Sequence, residues 1–495
     1  MQMNDRIIAK RRIIALIPVL LLIAMLAVDI SVFGADSIIG ATQVTLLTSA
    51  GVCVALSMIL YKTPWKTFEN AIKSYVGEVA NAILILLLIG AISGTWMMSG
   101  VVPALICYGL KIISPKVFLL TACLICAVVS VLIGSSWTTI ATIGVAMLGI
   151  GHAEGFSDAL TAGAIISGAY FGDKISPLSD TTVLASSVNR VDLFEHIRYM
   201  VLTTGPAIGI ALIIYTVIGL FHGPGDPVQM TVYSDVLSSR FHITPWLMTV
   251  PMIAAFLIWK KLPAVIVLSL SALTGAIAAL IFQPDIIAEI GSGVTGGSHL
   301  KIMFTGTVES IYNTVSLETG NPEVNALVES KGMLGMLSTI YLILCAMCFG
   351  GCMRSSGMIS DLAGMLMPFT KTRTGLVGST VLTGFVLNGT VSDQYLSIIL
   401  TSNIFQEPFK KGGYENRLLS RSVEDSSTVT SPLFPWSGCG MTQATILSVP
   451  TLAYAPFCFF NIISPLVSII VAMTGWKIIR KEPDTSTNGT REGNL

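Results

Sequence analysis

Charge is what this chain has least of. Asp, Glu, Lys and Arg make up 11% of its 495 residues, against 53% hydrophobic ones. A soluble chain would carry about a quarter charged residues, so this composition, with a mean hydropathy of +0.78, excludes that class. An excess of one sign is also missing, because 28 basic and 28 acidic residues cancel. That balance argues against a nucleic-acid or acidic partner. No G-x-x-x-x-G-K-[ST] pattern occurs. The chain therefore lacks the phosphate cradle of an ATP-driven pump, and any pumping must run on an ion gradient. Histidine is scarce, and His152, His196, His222, His242 and His299 all fall in loops or near span ends. The nine cysteines lie almost wholly in apolar runs, Cys123/Cys126 and Cys345/Cys348/Cys352 among them. They read as small apolar residues of membrane helices rather than metal or redox groups. No cofactor is expected.

Long apolar runs are what remains. About 20 such residues cross a bilayer. Full spans are predicted near 13–33, 41–60, 79–98, 157–187, 199–221, 244–260, 262–282, 333–353, 417–447 and 456–476, about ten transmembrane helices. Lys10, Arg11 and Arg12 precede a first run too long for a signal-peptide core and without a clear cleavage site, so it is expected to remain as the first span. Two further pairs, 117–133 with 136–151 and 375–387 with 394–406, are too short for two spans each. They turn at polar tips, Gly134-Ser135-Ser136 and Asn388-Gly389-Thr390. Both read as re-entrant hairpins, which a bilayer tolerates only where protein or a water-filled cavity buries the tip. The spans at 157–187 and 417–447 are long because each is broken, around 172–182 and 424–437.

These features recur in pairs. Gly134 precedes Pro177 by 43 residues, and Gly389 precedes Pro432 by 43. Each proline sits in a Ser-Pro-Leu triplet, Ser176-Pro177-Leu178 and Ser431-Pro432-Leu433. Upstream, Gly94 to Gly100 and Gly351 to Gly357 share G-x-x-x-x-S-G. Paired interruptions in two halves point to a transporter binding site. Residues 1–221 read as a first repeat and 244–476 as a second, joined by an external Pro/Gly-rich connector at 222–243, with a tail at 477–495. The longest soluble stretch, 283–332, reads as an external surface loop or partial lid. Five crossings per half make the second repeat enter the membrane upside down. The basic residues agree with that inverted topology: predicted cytoplasmic segments, both termini included, hold 22 of the 28 Lys/Arg. External segments hold Lys111, Lys116, Arg240, Lys301 and Lys331, and Lys174 lies in the membrane.

Charges inside a bilayer are costly, about 2.5–3.5 kcal/mol each on insertion scales, and mark function. This chain gathers them at the breaks, which read Gly172-Asp-Lys-Ile-Ser-Pro-Leu-Ser-Asp-Thr-Thr182 and Glu424-Asp-Ser-Ser-Thr-Val-Thr-Ser-Pro-Leu-Phe-Pro-Trp436. With Asp393 of the second hairpin, five acids (Asp173, Asp180, Asp393, Glu424 and Asp425) face one Lys174. The surplus must be met by protons, by cations, or by both. Oxygen ligands for a small hard cation surround them: Ser135, Ser136, Thr138, Ser176, Asn388, Thr390, Thr428, Thr430 and Ser431. Freed carbonyls and half-helix C-termini add partial negative charge. Na⁺ and H⁺ then compete for the same carboxylates. Lys174 is expected to neutralise Asp173 or Asp180. His152 and Glu154, at the outer end of the first hairpin, read as surface polar residues. The pairs Gly90/Gly94 and Gly205/Gly209 read as helix-packing contacts.

Three segments carry a resemblance: 168–182, 388–394 and 422–436. There the chain resembles the NhaC family of bacterial Na⁺/H⁺ antiporters. One departure is Ser437, where many relatives have Asn, so one amide is missing from the implied ligand set. The resemblance implies an all-α membrane fold with two inverted repeats, an elevator mechanism, a homodimer and residence in the bacterial inner membrane. It also implies two functions, exchange of Na⁺ for H⁺ or Na⁺/H⁺-coupled exchange of malate and lactate. Five acids against one base favour the first.

Overall fold

The computed structural model describes residues 2–33, 40–78, 80–221, 227–260, 262–293, 298–365 and 367–478. The tail beyond 478, positions 222–226 of the connector and 294–297 of the Gly-rich stretch lie outside them. Among the described residues all regular elements are helical, and pairing of extended backbone is limited to one bridge between Val315 and Ser330. Seven helices are long and apolar enough to cross a membrane, or up to nine if each of two bent pairs is one span.

Fewer uninterrupted spans form than the ten expected because polar breaks divide them. The run expected as one span at 79–98 continues past a 66° bend into helix Val101–Ile112, buried from Val101 to Cys107, where a loop was expected. Its bend is at Gly100, with φ +82°, and the matching motif ends at Gly357, with φ +77°. In reverse, two expected hairpin arms, Pro115–Ile133 and Arg373–Val391, are each long enough to span alone.

The first hairpin turns where expected. Helix Phe118–Ile133 ends on Gly134 at φ +72°, and a Cβ there would lie 2.6 Å from the Leu178 backbone. Glycine is required by both conformation and space. Ser135 then accepts from the Thr138 amide (3.3 Å) and caps the returning arm.

The second hairpin turns later than expected. Arg373–Val391 stays helical through Asn388, Gly389 and Thr390, and the chain reverses at Ser392, φ +63°, and Asp393. Asp393 caps helix Gln394–Lys411 by accepting from the Leu396 amide at 2.8 Å. Gly389 is used for close approach instead of a turn: the Phe434 ring would lie 3.0 Å from a Cβ there, and the Trp436 indole donates to the Gly389 carbonyl at 2.7 Å. The turn therefore precedes its proline by 40 residues rather than 43.

Both broken helices are present. The first is Asp158–Ile175 followed by Asp180–Val188. The second is Asn416–Val423, a π-helical turn Glu424–Thr428, and Gly438–Leu447. Ser437 accepts from the Gly440 amide at 2.9 Å, so it serves as a helix cap.

Two loops are corrected. Within the connector, Pro227–Arg240 is a helix with Tyr233 and Leu237 buried. Segment 283–332 is a folded layer of helices Pro284–Gly291, His299–Tyr312 and Pro322–Val328, whose Ile286, Ile287 and Val324 share a core with Ile92 and Trp96. Gly90 and Gly94 pack against this layer, whereas a Cβ on Gly209 would meet nothing among the described residues of the chain.

Candidate functional site

The first hairpin tip, the first broken helix and the start of helix Gln394–Lys411 enclose a cavity of about 580 Å³ against helices Ala80–Met98 and Ala264–Phe282. Ser135, Ser136, Thr138, Asp173 and Asp180 all line it, joined by Gln394 and Tyr395, which the sequence did not single out. Asp173 is 6% exposed. Its Oδ2 accepts from the Ser136 amide at 3.1 Å and the Ser136 hydroxyl at 2.7 Å. It sits in the last turn of helix Asp158–Ile175, where the helix dipole favours a cation. Asp180 is exposed at the start of the next segment.

Asp173 and Lys174 are sequence neighbours, so their side chains leave the helix about 100° apart. Lys174 accordingly turns away from the cavity. It is fully buried and pairs with Asp425 of the second broken helix, while also donating to Ser464 Oγ at 3.1 Å. The expected pairing with Asp173 or Asp180 is therefore wrong, and the ion pair joins the two halves. Asp425 Oδ1 also accepts from Thr203 Oγ1 at 3.0 Å.

A second buried base was missed. Arg421, counted from sequence among the cytoplasmic basic residues, is fully buried with Nε 3.8 Å from Asp425 Oδ2 and its guanidinium 4.6 Å from the Tyr199 ring centroid. The signal was available: helix Asn416–Val423 continues into the π turn, so Arg421 lies one turn before Asp425. His196 is also buried, its Nδ1 2.9 Å from Ser420 Oγ.

Glu424 points elsewhere than its neighbour. It is fully buried, and the hydroxyls of Thr181 and Thr428 face it without closing hydrogen bonds on its carboxylate. Asn388 donates to the Ser427 carbonyl (2.7 Å) and Thr430 Oγ1 (2.9 Å), leaving Oδ1 unbonded. Ser431 donates to the Thr428 carbonyl at 2.9 Å and lies 3.3 Å from Gln394 Oε1. Asn388, Thr430 and Ser431 thus stitch the second hairpin to the second broken helix. Ser176 and Thr390 lie off the cavity lining, each donating to a backbone carbonyl, Val131 O at 2.7 Å and Val386 O at 2.9 Å. Asp393 is a helix cap outside the cavity lining. Among the described residues no group of three or more His, Cys, Asp and Glu could hold a metal ion.

The arrangement can hold a monovalent cation or a proton at Asp173 while an internal ion pair fixes the helices behind it. Comparison with known proteins points the same way. The model of the Na⁺/H⁺ antiporter family matches residues 2–187 and 168–476. The chain is 35% identical over 427 residues to the Na⁺/H⁺ antiporter NhaC of Alkalihalophilus pseudofirmus, covering 86% of this chain and 89% of that one. It is 36% identical over 413 residues to the malate-2H⁺/Na⁺-lactate antiporter of Bacillus subtilis, covering 83% and 85%. It is 32% identical over 482 residues to the arginine/ornithine antiporter ArcD of Halobacterium salinarum, covering 95% and 94%.

Proposed function

We propose that this chain, which belongs to the Na⁺/H⁺ antiporter family, exchanges Na⁺ for H⁺ across the membrane its apolar helices span. One observation carries the reading: among the described Asp, Glu, Lys, Arg and His residues, only Asp173 and Asp180 line the cavity. A site with carboxylates and no base attracts cations. Asp173 is the shared anchor, ionised when Na⁺ is held and protonated when it is not. Ser136 orients it, and the hydroxyls of Ser135 and Thr138 offer further oxygens within the same wall. Glu424, behind that wall, is the second proton-exchanging acid. Lys174 and Asp425 cancel each other and hold the two broken helices in register.

In sequence, the cavity wall from Asn81 and Leu262–Ala264 follows directly on Lys62, Lys66, Lys73 and Lys260, which the basic-residue bias counts as cytoplasmic. On that assignment the site faces inward here. Outward access then requires the hairpins and broken helices to move against helices Ala80–Met98 and Ala264–Phe282, the elevator motion that the family resemblance implies.

The alternative is exchange of malate and lactate, the activity in the name of one relative. A dicarboxylate needs bases. Two are buried nearby, but Lys174 and Arg421 both lie against Asp425 and neither lines the cavity. The test is proton release from everted vesicles on addition of NaCl alone, compared with NaCl plus malate or lactate. Release with NaCl alone supports the cation reading; release only when organic acid is present overturns it.

A further inference from the structure

The two acids assigned to proton exchange differ in how they reach the cavity. Asp173 lines it, whereas Glu424 is fully buried and does not. Between them runs Ser179-Asp180-Thr181, at the start of helix Asp180–Val188. Asp180 is exposed there, while Ser179 and Thr181 are buried. The two hydroxyl oxygens lie 3.0 Å apart, a hydrogen bond in which either can donate. At one end the Ser179 hydroxyl faces the Asp173 carboxylate. At the other the Thr181 hydroxyl faces that of Glu424. The order is therefore carboxylate, hydroxyl, hydroxyl, carboxylate. Helix capping accounts for part of this, since Ser179 accepts from the Thr182 amide at 3.4 Å. A hydroxyl that accepts still has its own proton to give. Capping does not account for Thr181. Among the described residues it donates to no carbonyl, whereas the adjacent Thr182 donates to Lys174 O at 3.0 Å.

We propose that Ser179 and Thr181 form a relay that carries the Glu424 proton to Asp173, and so to the cavity. Asp173 first loses its own proton to the cavity. The Glu424 proton then passes to Thr181 Oγ1, the Thr181 proton to Ser179 Oγ, and the Ser179 proton to an Asp173 oxygen. Three O–H bonds break and three form, and the negative charge moves from Asp173 to Glu424. Na⁺ displaces the delivered proton when it takes the Asp173 carboxylate, and the steps reverse when Na⁺ leaves. Neither Glu424 oxygen holds a closed hydrogen bond here, so transfer at that end waits on rotation of the Thr181 side chain. The proposal rests on the reading that Asp173 anchors Na⁺ and that Glu424 exchanges a proton.

The test is stopped-flow proton release, read with a pH indicator, on adding NaCl to the purified full-length chain in detergent. In the wild type both acids are expected to contribute to the rapid phase. Thr181→Val keeps the side-chain shape and removes the hydroxyl. It should retain rapid release from Asp173, slow the remainder roughly 100-fold, and leave the sodium concentration for half-saturation unchanged. Thr181→Ser, which loses the methyl and keeps the hydroxyl, should restore the rapid phase. Ser179→Gly, which still caps a helix well, should behave like Thr181→Val. In Glu424→Gln the slow part should be missing, and adding Thr181→Val should change nothing further. Wild-type kinetics in Thr181→Val, a slow phase in Thr181→Ser, or unchanged release in Glu424→Gln overturns the proposal. Absence of sodium-dependent release in the wild type would instead overturn the antiporter reading.

Discussion

The two broken helices share a Ser-Pro-Leu triplet and a run of hydroxyls, yet they treat their acids in opposite ways. In the first, Asp173 stands at a cavity wall and receives two hydrogen bonds from Ser136. In the second, Glu424 and Asp425 are fully buried in a π-helical turn, one held by Lys174 and the other without a closed hydrogen bond. A repeated motif therefore fixes where the backbone opens and does not fix what the opening does. The first break sets a carboxylate on a cavity wall; the second buries both of its acids inside the protein.

The largest expected effect breaks the first half of that comparison. Asp173→Asn retains size and an oxygen but can carry neither a proton nor a full charge. Na⁺-driven proton release from everted vesicles should fall at least about 100-fold, since a neutral amide cannot alternate between the two ions. The protein should still insert and purify in normal yield. Normal exchange in this variant would move the ion to another acid, with Glu424 first.

The second prediction tests whether Asp425 is counter-charge or ion carrier. Removing one member of a buried ion pair leaves an uncompensated charge and costs about 3–5 kcal/mol, whereas replacing both is often nearly neutral. Asp425→Asn leaves both Lys174 and Arg421 without a counter-charge and should lower thermal stability and yield in detergent most. Lys174→Met leaves Asp425 facing Arg421 and should lower them least, and the double variant, with Arg421 alone unpaired, should fall between the two. Recovered exchange in the double variant supports a purely internal pair. A stable double variant with no exchange would make Asp425 an ion carrier in its own right.

A smaller effect is expected at Ser136. Its hydroxyl gives Asp173 one hydrogen bond to a charged group, worth about 1.5–3 kcal/mol, while the backbone amide supplies the other. Ser136→Ala should therefore weaken sodium binding roughly 10-fold, at the lower end of that range, and leave stability unchanged. No change in binding would mean that the amide alone orients the carboxylate.

Much of this was legible before any coordinates. The turn at Gly134 and the break after Ile175 follow from glycine, proline and serine placed in apolar runs, and both formed where expected. Asp173 stood out because an acid in such a run needs a reason. The partner of Lys174 was not legible: it lies 251 residues away, and local sequence offers only Asp173 and Asp180. Arg421 was misplaced because a basic residue next to a loop reads as cytoplasmic until the helix boundary is known. The second tip was displaced because Gly389 signals either a turn or a close approach, and only the Phe434 ring decides which. The layer at 283–332 was taken for a loop because short helices that pack on other helices carry too few apolar residues to read as spans.

The smallest expected effect concerns an acid outside both breaks, and it separates burial for function from burial for packing. Glu154, in the turn after helix Val145–Ala153, is buried rather than at the surface as its position suggested, and burial pushes its carboxyl up to about 8. A carboxyl that resists ionisation in the folded chain costs nothing at pH 4, where it is protonated in both states. As pH rises above the ordinary glutamate range, the unfolded chain ionises first and the folded state loses stability, with the full loss reached only above pH 8. Glu154→Gln removes that penalty. The variant should match the wild type in melting temperature at pH 4 and exceed it by roughly 2–4 °C at pH 9, with sodium–proton exchange at pH 7 unaltered. If exchange at pH 7 falls instead, this acid belongs to the ion path and the division between one open and one closed break is incomplete.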